Sequence, residues 1–270
     1  MLHETFKLHV DGGEDYAKVV TYIHEYSEQL AINVRPLVLI CPGGGYCHTS
    51  DREAEMMALQ FVAMGYHAAV LRYSVAPAKY PTALLELASA VKLIRDYSEE
   101  WNVDKDKIVV QGCSAGGHLA ASYGCFWAED FVAETLKVAD KEYLRPNGMI
   151  LCYPVITQGE FAHRGSFENL LGEKEAELGA KMSLENQVTK NTPKAFIWHT
   201  FEDGSVPVEN SLLFASALRK EGVPFELHIY PEGGHGLGLA NKLTESPLHK
   251  EVVPACESWI TLCKTWMESI

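Results

Sequence analysis

Ile108-Val109-Val110-Gln111-Gly112-Cys113-Ser114-Ala115-Gly116-Gly117-His118-Leu119 is the stretch that decides how this chain folds. A β-branched run enters a glycine-flanked serine and passes, with no linker, into residues of helical character, so strand, tight turn and helix follow directly on one another. Gly112-Cys113-Ser114-Ala115-Gly116 fits the pattern G-x-S-x-G. In that setting a strained turn lifts the serine hydroxyl above a sheet and points it at a helix amino terminus. Glycines flank the turn because a Cβ there would collide with the neighbouring strand and helix. The competing reading, a structural or phosphate-holding glycine connection, lacks the lysine of a phosphate loop and the longer glycine spacing of a dinucleotide site.

Outward from this point the pattern repeats. Short apolar runs at 37–41, 67–71, 149–152, 195–198 and 225–230 alternate with longer amphipathic segments, the signature of a mostly parallel α/β sheet of about eight strands with helices on both faces. Helices are predicted from an Asp51 cap to Met64 before Gly65, over 81–97, over 118–127, over 210–220 before Gly222, and over 252–267. Residues 5–10 and 18–23 alternate well enough to form an antiparallel pair at the sheet edge. The stretch 154–192 is polar, charged and irregular and reads as a cap-like insertion over the carboxyl ends of the strands. One domain spanning 1–270 is the expectation.

Composition narrows the function. With 270 residues, 47% hydrophobic and 22% charged, the chain can bury a large core. Its 23 Lys and Arg against 36 Asp and Glu give a net charge of −13 with no basic cluster, which speaks against nucleic acid and favours a neutral small molecule. The opening Met1-Leu2-His3-Glu4-Thr5-Phe6-Lys7-Leu8 has no basic segment followed by an apolar run, and no later run is long enough to span a bilayer. Seven cysteines form an odd, unpaired set suited to a reducing compartment, and Cys41 and Cys47 lack a second ligand pair for zinc. A cytoplasmic protein is expected, for which a homo-oligomer is compatible.

A serine hydroxyl is a weak nucleophile at neutral pH and needs a base oriented by a carboxylate, here in the order Ser, Asp, His. Asp203 follows the run 195–198, and His235, set in Gly233-Gly234-His235-Gly236, follows the run 225–230, so both fall in loops at the carboxyl edge. Glu202 is the alternative acid, and the shorter Asp203 before Gly204 suits a fixed loop better. Of the other histidines among eleven, His199 ends a strand and reads as structural, and His118 opens the helix behind the serine. Pro42-Gly43-Gly44-Gly45-Tyr46 follows an early strand, where the N–H groups of Gly44 and Gly45, with that of Ala115, would receive an oxyanion. Tyr46 is expected to line the substrate pocket. No metal or organic cofactor is required by this chemistry.

Several motifs now stand in order: Pro42-Gly43-Gly44-Gly45-Tyr46, Ser50-Asp51-Arg52-Glu53, Leu71-Arg72-Tyr73, the Ser114 turn, Glu185-Asn186-Gln187-Val188, Trp198-His199-Thr200 and Gly233-Gly234-His235-Gly236. In these the chain resembles the bacterial esterases of the α/β-hydrolase superfamily related to acetyl xylan esterases, close to the hormone-sensitive-lipase-like group, over about 37–240. The resemblance implies nucleophile Ser114, acid Asp203, base His235 and oxyanion donors Gly44, Gly45 and Ala115. It also implies short acyl esters, acetylated sugars or xylo-oligosaccharides among them, as substrates. Pro42 departs from the histidine that opens the glycine loop in many relatives. A serine peptidase or an arylformamidase would use the same triad, and a non-catalytic binding protein of this fold is the alternative of another class. Glu173, Glu175 and Glu177, which a peptidase would use to grip a substrate amino terminus, read as a solvated helix face.

Overall fold

The computed structural model describes residues 1–270. Its strands are β1 (Thr5–Lys7), β2 (Lys18–Tyr22), β3 (Arg35–Cys41), β4 (His67–Arg72), β5 (Val103–Cys113), β6 (Gly148–Cys152), β7 (Ala195–Thr200) and β8 (Phe225–Tyr230). They form one sheet in the order β1-β2-β4-β3-β5-β6-β7-β8. The β1–β2 and β2–β4 pairs are antiparallel, and every pair from β4 to β8 is parallel. The helices are α1 (Glu55–Ala63), α2 (Thr82–Asp96), α3 (Ala115–Phe126), α4 (Asp130–Thr135), α5 (Arg164–Leu171), α6 (Glu175–Met182), α7 (Glu209–Glu221), α8 (Pro254–Glu257) and α9 (Trp259–Met267).

The inner strands carry continuous apolar runs because both faces are covered, and successive side chains serve opposite cores. Leu37, Leu39 and Cys41 of β3, with Ala195 and Ile197 of β7, point to the side of α2, α3 and α7. Val38 and Ile40, with Phe196 and Trp198, point to the side of α1 and α9. There Trp198 stacks on Trp259 at 5.2 Å between ring centroids. Truncating a buried aromatic of this kind costs about 3–5 kcal/mol, so this pair is one of the contacts that tie α9 to the sheet, beside Trp266 against Phe196.

Register aligns the strand ends. Cys41 faces Gly112, Cys113 faces Cys152, Cys152 faces Trp198 and Thr200 faces Tyr230. The loops that follow β3, β5, β6, β7 and β8 therefore emerge together along one edge of the sheet.

Several boundaries differ from the sequence reading. The stretch 154–192 is not irregular: α5 and α6, joined by short 3-10 turns, make it substantially helical. Its root is buried, with Val155, Ile156 and Thr157 inside. Asp51 caps no helix; its exposed carboxylate pairs with Arg72 at 2.7 Å, and residues 51–53 form a 3-10 turn ahead of α1. Helix α3 begins at Ala115, three residues earlier than expected, and the closing helix is divided into α8 and α9. All seven cysteines are free. No helix is long and apolar enough to cross a membrane.

Candidate active site

Ser114 is held at φ 55°, ψ −119°, a conformation that non-glycine residues rarely occupy. Its neighbours impose it. A Cβ on Gly116 would stand 2.0 Å from the carbonyl oxygen of Cys41, and one on Gly112 would stand 2.1 Å from that of Gly116. The Ser114 N–H donates to Cys152 O at 3.0 Å, and its carbonyl accepts from His118 N and Val155 N, both at 3.0 Å. The turn is thus tied to β6, to α3 and to the root of the insertion.

Ser114 Oγ lies 2.7 Å from His235 Nε2, and His235 Nδ1 lies 2.6 Å from Asp203 Oδ2. Asp203 is buried, and its other oxygen accepts the N–H groups of Ser205 and Val206 at 2.9 Å each. Burial alone would raise its carboxyl, but hydrogen bonding to His199 and His235, the His235 charge and the Val206 N–H outweigh this and hold it well below the usual carboxylate range. His199 is buried, with Nδ1 at 2.8 Å from Ser211 Oγ and Nε2 at 2.9 Å from Val206 O and 3.3 Å from Asp203 Oδ2. It braces the Asp203 loop and does not reach Ser114. Glu202 accepts the Gly233 N–H at 3.2 Å, on the exposed side of the loop that carries His235.

After β3 the glycine loop turns through φ 132° at Gly44 and 62° at Gly45. A Cβ on Gly44 would stand 2.2 Å from His48 O. The N–H groups of Gly44, Gly45 and Ala115 donate to no protein acceptor, so three backbone donors are left available around Ser114. The loop is supported from all sides: Tyr73 donates to Pro42 O at 2.7 Å, Ser50 N to Gly43 O at 2.9 Å, and Asn169 of α5 to Gly45 O at 2.9 Å.

Tyr46 is a correction. At φ 57° its side chain turns inward, where its hydroxyl lies 2.9 Å from His118 Nδ1, and the ring is buried away from the cavity beside Ser114. That cavity, about 220 Å³, is lined by Gly44, Gly45, His48, Ser50, Arg52, Glu53, Ser114, His163, Ser205, His235 and Gly236. None of these residues is aliphatic.

Residues the sequence reading passed over complete the site. Glu53, buried, accepts the Gly43 N–H at 2.8 Å and the Tyr153 hydroxyl at 2.7 Å. Tyr153 accepts the Gly238 N–H at 2.9 Å and packs edge-to-face with His235, ring centroids 5.2 Å apart. One carboxylate thereby joins the glycine loop, the end of β6 and the loop that carries His235. The available signal was Ser50-Asp51-Arg52-Glu53, read only as a mark of kinship.

A serine on a strained turn after the fifth strand of a mostly parallel sheet, with His and Asp on later loops of the same edge, defines an α/β-hydrolase-fold protein. Within that fold the chain belongs to the BD-FAE family, which it matches over residues 22–218. It is 42% identical over 219 residues to endo-1,4-beta-xylanase B of Butyrivibrio fibrisolvens, covering 77% of this chain and 33% of that protein. It is 30% identical over 226 residues to the acetylxylan esterase of Xylanibacter ruminicola, covering 81% of this chain and 44% of that protein. The chain thus spans less than half the length of either curated relative. Among solved structures, the acetyl ester-xyloside bifunctional hydrolase of Caldicellulosiruptor lactoaceticus superposes with a TM-score of 0.80 at 42% identity, over 94% of this chain and 88% of that one.

Proposed function

We propose that this chain is a serine carboxylic-ester hydrolase that removes short acyl groups, acetyl foremost, from polyhydroxylated alcohols such as xylo-oligosaccharides. The observation that carries this reading is the relay from Ser114 Oγ through His235 to Asp203, with hydrogen-bonded separations of 2.7 and 2.6 Å. In the first half-reaction Ser114 Oγ attacks the ester carbonyl carbon as its proton passes to His235 Nε2. The carbonyl oxygen takes up the negative charge and meets the N–H groups of Gly44, Gly45 and Ala115. Collapse breaks the bond to the alcohol oxygen, which receives the proton from His235. Water then attacks the acyl-serine by the same route in reverse roles, releasing the acid. Asp203 keeps the imidazole oriented and offsets its transient positive charge.

The small cavity without an aliphatic lining residue supports a short acyl group and a polar alcohol over a lipid ester. The names of the relatives, an acetylxylan esterase and an acetyl ester-xyloside hydrolase, agree with this. Cleavage of the glycosidic bond by this site is not favoured: that chemistry uses two carboxyl groups facing the sugar, whereas both Glu53 oxygens are engaged and the Asp203 side chain is fully buried.

Hydrolysis of p-nitrophenyl acetate, butyrate and octanoate, acetylated xylo-oligosaccharides and an aminoacyl anilide by the wild type and Ser114→Ala tests the reading. The wild type should prefer acetyl esters, and the variant should fall by roughly 10⁶ in kcat, to background. Cleavage of the anilide alone would replace the esterase with a peptidase. Equal inactivity of both proteins on every substrate would favour a binding protein.

A further inference from the structure

His163 stands at the amino-terminal cap of α5, in the insertion, and lines the cavity that holds Ser114 and His235. Its Nδ1 is committed. The Ser166 N–H, which also donates to His163 O at 3.0 Å, reaches Nδ1 at 3.3 Å, and Ser166 Oγ lies 2.8 Å away, placed to donate its proton to the same lone pair. A neutral imidazole whose Nδ1 accepts carries its proton on Nε2. Burial holds this ring below the ordinary histidine range, the His235 charge pushes the same way and Asp203 opposes, so the neutral form prevails at pH 7. Nε2 has no protein partner.

The position of the ring is fixed as firmly as its tautomer. Ser166 is buried, and on the same helix Asn169 donates to Gly45 O while the backbone carbonyls of Glu168 and Asn169 accept from Lys79. His163 Cε1 would be 3.9 Å from a Cβ on Gly45, so the ring lies over the glycine loop. It is also close enough for the charges of His235 and Asp203 to act on it. The leaving alcohol must stand beside His235, which returns its proton, and His163 shares that space.

From this geometry we infer that His163 is a substrate-binding residue, whose Nε2–H donates to a free hydroxyl oxygen of the leaving polyol next to the ester being cleaved. The inference rests on the reading of the chain as a sugar-ester hydrolase and adds the group that selects the alcohol. A simple aryl or alkyl alcohol has no such hydroxyl and draws nothing from His163. A donor aimed at a hydroxyl discriminates against substrates that lack it, because the site then holds an unpaired polar group.

The test is kcat/KM of the wild type, His163→Ala and His163→Gln on acetylated xylo-oligosaccharides and on p-nitrophenyl acetate, which carries the same acyl group on an alcohol without a free hydroxyl. On the sugar ester His163→Ala should lose about tenfold, chiefly through KM, the worth of one hydrogen bond. On p-nitrophenyl acetate it should stay near the wild type, which also reports an intact fold and triad. His163→Gln, which keeps a side-chain donor, should recover part of the loss. Equal losses on both substrates would overturn the inference and make His163 a prop for the glycine loop. No loss on either would overturn it while leaving the sugar esterase standing. A wild type that cleaves p-nitrophenyl acetate but no acetylated sugar would overturn both readings together.

Discussion

Replacing Glu53 by Gln isolates what a buried charge contributes to holding this site. The substitution preserves shape and removes one acceptor and the charge. Glu53 accepts two hydrogen bonds, at 2.8 Å from Gly43 N and 2.7 Å from Tyr153 Oη, both to an inaccessible carboxylate. A glutamine oxygen can serve only one of them, and its NH₂ then faces the other donor. If the oxygen keeps Gly43, the Tyr153 hydroxyl loses its acceptor while still receiving the Gly238 N–H, and the loop carrying His235 loosens. If it keeps Tyr153, the Gly43 amide is orphaned and the glycine loop shifts.

A hydrogen bond to a charged group is worth about 1.5–3 kcal/mol, so Glu53→Gln should lower kcat/KM on p-nitrophenyl acetate by roughly 10- to 150-fold. The ceiling is the loss of one oxyanion donor, about 2.7–4 kcal/mol. The same substitution should lower unfolding stability in urea by a comparable ~2 kcal/mol, because the orphaned donor stays buried. Tyr153→Phe removes the other end of the link, and the double variant should cost less than the sum of the two single ones. If both single variants kept kcat/KM within about twofold of the wild type with loss of stability alone, the network would support the fold and not the chemistry. The reasoning about preorganisation would then be wrong.

Two further outcomes follow from the geometry. Gly44→Ala meets both a φ of 132° and a carbonyl oxygen 2.2 Å from the new Cβ, so the loop must move and kcat should fall about 10²- to 10³-fold; Gly204→Ala, with nothing within 4 Å of its Cβ, should be near-neutral in the same assay. Burial holds His118 at a pKa of about 4, opposed by Met182 O, and His67 at about 4, opposed by Asn102 O. The unfolded chain therefore binds more protons than the folded one between pH 6.5 and 4, so these groups make stability fall as pH drops through that window and level off below it. Each contributes up to about 3 kcal/mol. Urea titrations at successive pH values should show a shallower slope for His118→Gln, and parallel curves for variant and wild type would contradict this account.

How far the sequence could be read depends on the range of the interactions involved. The inner strands were legible because continuous apolar runs such as 37–41 admit little else once bounded by Gly and Pro. Strand β5 begins at Val103, five residues before the apolar run, because its charged residues Asp104 to Lys107 extend along an open stretch where no apolar signal is needed. The early start of α3 was hidden by Gly116 and Gly117, which read as loop residues. In the structure they are helical, and glycine is required there because Cys41 O and the Pro154 side chain press against them. Tyr46 was misread because its direction depends on a backbone angle that the residue type argues against. Ser114, His235 and Asp203 stand out in sequence because each lies in a loop directly after a strand. His163 and Asn169 carry no local mark: Asn169 is placed by a contact with Gly45 across 124 positions of chain, and His163 comes to the site on the same helix.

That contact bears on how the insertion works. Asn169 donates to the carbonyl of Gly45, a residue proposed above to supply an N–H to the ester oxygen, and His163 caps the same helix. Tyr80 N donates to Leu170 O at 2.9 Å, and His118 Nε2 lies 3.0 Å from Met182 O, so both helices of the insertion are pinned to the body. Lifting the insertion would break the support of the glycine loop at the moment of opening. On the proposed reading, the alcohol contact at His163 and the Asn169 support of Gly45 belong to one docked segment, so a single element places both. A loss confined to KM in His163→Ala is what an insertion that stays docked predicts, since the glycine loop is then supported whether or not the alcohol contact is made.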